Sequence, residues 1–218
     1  MLSAIQSVFH FNNYVLFTRP FELNIVGVRA NTTTPNRFDD QIHVFFQNPQ
    51  GQTIHLSYEA TTDPGTYWLR NPLNLQGTAI LAQGQYRDCY QIGLHRGQYA
   101  ALVQKRKVTV LRDYDRDALL DFRNGKPDTG MHGINIHKTS GSGKALHIDK
   151  NSAGCQVFAD AKKFSEFMRL CELHRKLYGN SFTYSLIDSR AIAREQRKKM
   201  IAVGIGLGAA FLTYQTMK

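Results

Sequence analysis

The chain has 218 residues and a mass of 24.8 kDa, room for one ordinary domain with an extra segment or for two small ones. A hydrophobic fraction of 42% against 20% charged residues excludes global disorder, and three widely spaced cysteines, Cys89, Cys155 and Cys171, exclude a disulfide framework or a CxxC metal site. The net charge of +10, from 27 Lys and Arg against 17 Asp and Glu, calls for a polyanionic neighbour: nucleic acid, an anionic membrane or a cell-wall polymer.

Met1 to Phe17 lacks a basic start and a small-residue cleavage site, so it does not read as a secretory signal. Tyr14–Phe17, Phe21–Arg29, Gln41–Gln47 and Thr53–Tyr58 read as strands, with Asn48-Pro49-Gln50-Gly51-Gln52 as a hairpin turn. They predict a small N-terminal β unit over residues 1–65, ending in the turn-rich Thr61-Thr62-Asp63-Pro64-Gly65. Ala79–Ala82, Cys89–His95, Ala101–Gln104, Val108–Leu111 and Ile134–His137 continue the β pattern, and Lys138–Lys144 is a polar loop. Phe164, Phe167, Met168, Cys171 and Leu177 then recur at helical spacing, between an Asp160 N-cap and a Gly179 stop. Phe182–Ile187 is a final strand. The whole is a mainly β, α+β protein with one or two helices, its main domain spanning 66–189.

Residues 190–218 form a basic linker and a hydrophobic helix. Ser189–Lys199 is charged and helix-prone, and Met200–Met217 contains no charged residue. As a helix those residues would span roughly 27 Å, against a hydrocarbon core of about 30 Å. Arg194, Arg197, Lys198 and Lys199 precede the span, Lys218 follows it, and Gly204 and Gly208 have the spacing of a close helix–helix contact. The expectation is a membrane anchor able to pair with a second copy, a buried terminal helix being the alternative. By the positive-inside rule the domain then faces the cytoplasm, unless the protein meets the wall from outside as a virion component.

The chemistry-bearing stretch is Gly130-Met131-His132-Gly133-Ile134-Asn135-Ile136-His137, a polar loop, then Ser152-Ala153-Gly154-Cys155. A histidine ends a strand, and a cysteine follows a glycine that lets a substrate carbonyl approach the backbone. An imidazole that takes the thiol proton makes such a cysteine a nucleophile. The N–H groups around Gly154 and Cys155 are candidates for an oxyanion hole. Taken alone, a single cysteine is more often a small buried hydrophobe than a nucleophile.

Gly133-Ile134-Asn135-Ile136-His137 and Ser152-Ala153-Gly154-Cys155 together resemble the signature of the L,D-transpeptidase (YkuD-type) catalytic domain. The likeness extends over about Tyr67–Asp188, its specific part confined to 130–158. It implies a β-rich catalytic domain with Cys155 as nucleophile, His137 as base, and Ser152 and Gly154 shaping the site. It also implies attack on peptidoglycan stem peptides, with the acyl-enzyme released to an amine or to water. His132, His147 and Gly133 are candidates for orienting the base or binding substrate. Lys138 stands where the family usually has glycine, Ala153 where a basic residue is common, and Gln156 where Arg or Asn often follows the cysteine. The Ser-Ala-Gly-Cys-Gln variant looks most like phage-encoded or divergent members, which places the protein in a virion or cell envelope. A structural or virion protein that binds the wall without turnover is the alternative class.

No cofactor, metal or nucleic-acid partner is expected. His132, His147 and Cys155 lack zinc-ligand spacing, and no basic–aromatic motif is present. Gly141-Ser142-Gly143-Lys144 lacks the first glycine and the hydroxyl residue of a phosphate loop. Asp113, Asp115, Asp117 and Asp121 resemble a fragment of a calcium loop, but Ala118 replaces the central glycine and no Glu closes it, so a solvated turn is expected. His95, Arg96 and Tyr99 are further cleft candidates that the sequence does not decide.

Overall fold

A computed structural model describes residues 1–139 and 141–198. Two compact units emerge, residues 17–187 and a smaller one built from the chain's two ends.

The larger unit is a closed eight-stranded barrel. Its strands are β1 (Asn24–Arg29), β2 (Asp40–Gln47), β3 (Thr53–Thr61), β5 (Gly84–His95), β6 (Tyr99–Gln104), β9 (Ile136–Lys138), β10 (Gln156–Phe158) and β11 (Phe182–Asp188). Around the barrel the order is β1-β11-β5-β6-β9-β10-β3-β2. A three-stranded sheet, ordered β4-β7-β8, comprises β4 (Thr78–Leu81), β7 (Val108–Asp113) and β8 (Lys126–Gly130). A short helix, α2 (Thr66–Arg70), follows β3.

The sequence correctly predicts a mainly β fold, and the Asn48–Gln52 turn closes the β2–β3 hairpin through an Asn48 N–H to Gln52 carbonyl bond of 2.9 Å. Its domain division is corrected. Residues 24–61 are not a separate β unit, because β3 pairs with β10 (Ala60 with Phe158, Thr61 with Val157) and β1 neighbours β11. Alternation reveals that a segment is a strand, not which distant strand it pairs with. Tyr14–Phe17 is also not a strand.

A buried polar network ties the early strands together. The Arg29 guanidinium meets the Asp63 carboxylate at 2.8 Å and donates to the Leu81 and Thr62 carbonyls at 3.0 Å each. Asp40 accepts the Thr62 N–H and hydroxyl at 2.6 and 2.8 Å. Such charges survive burial because nearly every polar atom has a partner.

Helix α3 (Ala161–Tyr178) forms as its pattern predicts. Asp160 caps it by accepting the Lys162 and Lys163 N–H groups, and Gly179 ends it at φ 88°. Phe164, Phe167, Met168 and Cys171 join the main core, where Phe167 stacks on Phe158 with ring centroids 4.9 Å apart. Leu177, counted on the apolar face from its spacing, is exposed.

In the smaller unit, α1 (Leu2–Phe11) presents Ala4, Ile5, Val8 and Phe9 as its buried stripe. Residues 189–198 are helical, and Arg194 and Lys198 lie over the Phe11 ring at 5.7 and 5.5 Å. The expected anchor, Met200–Met217, with Gly204 and Gly208, lies outside the described residues. Among the described residues, no helix is long and apolar enough to cross a membrane.

Candidate active site

Strands β9 and β10 run parallel, with Gln156 level with Ile136, Val157 with His137 and Phe158 with Lys138. A parallel pair cannot be joined by a tight turn, so the chain needs a long crossover, here residues 139–155. The wide His–Cys spacing in the sequence is that crossover. It brings Cys155 beside Asn135, whose N–H points to Cys155 Sγ at 3.4 Å.

The pleat then sorts the side chains. Ile136 and Phe158 enter the main core, while Val157 joins a separate cluster with Phe38, Ile148 and Ala159, against which Cys155 packs. Cys155, Asn135 and His137 share the Val157 side of the wall by alternation. They line a cleft of about 390 Å³ together with His95, Arg96, His132 and Gly133. A second hollow of about 690 Å³ continues from it past His95, Arg96, His137 and Asn151 towards Tyr67, Tyr99 and Lys150.

Hairpin β5–β6 supplies what the sequence left undecided. His95 ends β5 and Tyr99 begins β6. The His95 ring stacks on His137 with centroids 4.0 Å apart and planes 21° from parallel. Asn135 Nδ2 donates to His95 Nδ1 at 3.1 Å, which leaves the proton of a neutral His95 on Nε2. His137 Nδ1 donates to the Lys138 carbonyl at 2.7 Å, which leaves Nε2 as the ring's free acceptor. Tyr99 Oη donates to the same carbonyl at 3.2 Å.

The electrostatics describe a neutral pair. Burial, then His95, then the Arg96 and Lys138 charges, hold His137 down at about 3. Burial also raises the Cys155 thiol, against the Asn135 N–H and Arg96, which lower it. The thiol donates to the Gly133 carbonyl at 3.4 Å, and no hydrogen bond joins it to His137 among the described residues. The resting site is therefore thiol and imidazole, rather than the thiolate–imidazolium pair that the motif suggests.

Ser152 and Gly154 shape the turn before the thiol. Ser152 is fully buried, its hydroxyl donating to the Cys155 carbonyl at 2.8 Å and accepting the Gly154 N–H at 3.1 Å. The Gly154 N–H is thus engaged and cannot serve an oxyanion. Gly154 takes φ 120°, and a Cβ there would fall 2.3 Å from the Ala79 carbonyl oxygen. His132 is braced at the cleft rim, Nδ1 accepting from Arg112 at 3.2 Å and Nε2 donating to the Asp128 carbonyl at 3.1 Å. His147 is exposed and lines neither hollow. Lys144, from the discarded phosphate-loop pattern, pairs with Glu59 at 2.6 Å.

Compared with protein-family models, curated proteins and solved structures, the chain matches none.

Proposed function

We propose that this protein is a cysteine acyltransferase or peptidase acting on peptidoglycan stem peptides, a divergent relative in kind of the L,D-transpeptidases. The observation that carries the reading is the shared cleft: Cys155, His137, Asn135 and His95 converge on it from two parallel strands and one hairpin. The substrate class comes from the motif resemblance.

In this mechanism the Cys155 sulfur attacks a stem-peptide carbonyl while His137 Nε2 takes the thiol proton. The tetrahedral oxyanion collapses, the C–N bond breaks, and the proton passes to the leaving amine. A thioester remains on Cys155. An incoming amine then forms a cross-link, or water frees a shortened stem. His95 holds the His137 ring by stacking, and Asn135 fixes His95. Met200–Met217 would tether the enzyme to a membrane, in a cell envelope or a virion.

A second reading, wall binding without turnover, draws on one observation. The thiol is bonded to Gly133 rather than His137, and a base held near 3 is weak. Incubation with purified peptidoglycan fragments, followed by mass spectrometry, separates the two. Cross-linked dimers or shortened stems that vanish in Cys155→Ala support the enzyme. Co-sedimentation with the wall and unchanged fragments support the binder.

A further inference from the structure

Asp113 ends β7, and the loop from there to β8 carries Asp115, Asp117 and Asp121. One carboxylate oxygen from each of Asp113, Asp115 and Asp121 lies within 4.8 Å of the other two. A crowd of acidic side chains on a surface means little alone. Here the telling atoms are buried. Asp113 is 0% exposed, and its Oδ1 has no hydrogen-bond partner among the described residues. Its Oδ2 accepts only the Asp121 N–H, at 3.4 Å. Asp121 Oδ2 is likewise buried and unpartnered. A carboxylate oxygen taken from water without a donor or counter-ion is costly. Two flanking cations are engaged elsewhere: Arg112 pairs with Asp128 at 2.8 Å, and Lys126 lies over the Tyr114 ring at 5.6 Å.

We propose that Asp113, Asp115 and Asp121 bind one hard divalent cation, with Ca²⁺ preferred over Mg²⁺. In the numbering of a twelve-residue calcium loop that starts at Asp113, positions one, three, five and nine are Asp113, Asp115, Asp117 and Asp121, the positions that supply ligands. Position seven offers the Leu119 carbonyl. Position six normally needs glycine for a sharp turn. Ala118 stands there and nevertheless adopts φ 66°, so the missing glycine does not prevent the turn. Position twelve is Asn124 instead of a bidentate Glu, which places the affinity in the weak class, about 10⁻⁴–10⁻³ M. An irregular loop with several carboxylates suits the variable coordination of Ca²⁺ better than the strict octahedron of Mg²⁺. The site does not depend on the cysteine chemistry.

The test uses the full chain, stripped of metal by chelation. Tb³⁺ serves as a luminescent surrogate excited through Tyr114, and Ca²⁺ and Mg²⁺ are titrated separately by calorimetry. The expected result is Tb³⁺ emission displaced by Ca²⁺, with a rise in melting temperature on adding Ca²⁺. Asp115→Asn, at an exposed position that folding should tolerate, should weaken Ca²⁺ at least tenfold, and Asp113→Asn should abolish binding. No Ca²⁺ heat up to about 10 mM, well above the weak class of site, would overturn the proposal. Unchanged affinity in a folded Asp115→Asn protein would do the same. Equal binding of Mg²⁺ and Ca²⁺ would overturn the stated preference.

Discussion

Inside the barrel, the Tyr184 hydroxyl donates to Oε1 of Gln156 at 2.9 Å, one residue beyond Cys155. Gln156 Nε2 reaches the carbonyls of Gly154 at 3.2 Å and Thr62 at 3.4 Å, and its N–H donates to the Asn135 carbonyl at 2.9 Å. One buried amide thus grips both flanks of the thiol. Gly27 makes room for the contact, since a Cβ there would lie 1.9 Å from the Tyr184 hydroxyl. Tyr184→Phe leaves Gln156 Oε1 buried and unpaired, so it should cost about 1–3 kcal/mol in urea unfolding. A double-mutant cycle with Gln156→Leu should show coupling of about 0.5–3 kcal/mol. Simple additivity would mean that the bond contributes nothing to the fold.

The three thiols should differ sharply in reactivity. Cys155 opens on the cleft, whereas Cys89 and Cys171 are buried and burial raises both thiols, Cys171 well above the usual range. An alkylating reagent on the folded protein should mark Cys155 first and Cys171 last. Because the Cys155 thiol is raised and His137 is neutral, the rate should climb with pH through and beyond about 8.5, the ordinary thiol range. An inflection between about pH 4 and 7, the mark of a thiolate held by an imidazolium, would refute the neutral pair.

Much of the wall is legible in the sequence, and the reason is the pleat. The strand pattern marks seven of the eight barrel strands, all but β10, and Phe164, Phe167, Met168 and Cys171 mark α3 from their spacing. The β unit predicted over residues 1–65 does not stand alone, because Ala60 and Thr61 pair with residues nearly a hundred positions away. In the site, His137, Gly154 and Cys155 stand out because each lies in a short local motif, 133–137 or 152–155. Asn135 lay within the motif without a role, and His95 reaches His137 only through the closure of β5 and β6 against β9. No local pattern announces a ring stacked on another from 42 residues away (137 − 95). β10, three residues long, was too short for periodicity to show.

Gly154 offers the bluntest test of the turn. Its φ of 120° is one that side-chain-bearing residues rarely adopt, and an added Cβ would collide with the Ala79 backbone at 2.3 Å. Ser152, bonded to both the Gly154 N–H and the Cys155 carbonyl, ties any shift of the turn to Cys155. Gly154→Ala should therefore destabilise the fold by about 1–3 kcal/mol or more and slow Cys155 alkylation in the protein that remains folded. Wild-type stability and labelling rate in Gly154→Ala would show that the turn is not fixed as described.

Acid should unfold the protein partly through His137. Its ring is 4% exposed, stacked on His95, and held down at about 3, whereas an unfolded chain protonates near its ordinary value of about 6.5. Below that value the unfolded state binds the proton more readily than the folded one. The stability due to a neutral His137 is therefore complete above about pH 6.5 and is lost as the pH falls towards the folded value, by up to about 1.4 kcal/mol per pH unit. His43, held down at about 4 by burial and by His55, acts in the same direction. Asp63, raised by burial against the opposing pull of Arg29, acts oppositely: its contribution is present at low pH and is lost as the pH rises. Comparing wild type with His137→Gln cancels these other groups, because glutamine has no proton to gain. Urea unfolding from about pH 4 to 7 should show wild-type stability falling more steeply towards acid than that of His137→Gln, with the two curves parallel above about pH 6.5. Parallel curves over the whole range would mean that His137 titrates normally in the folded protein, and that its ring is not held neutral by burial and by His95.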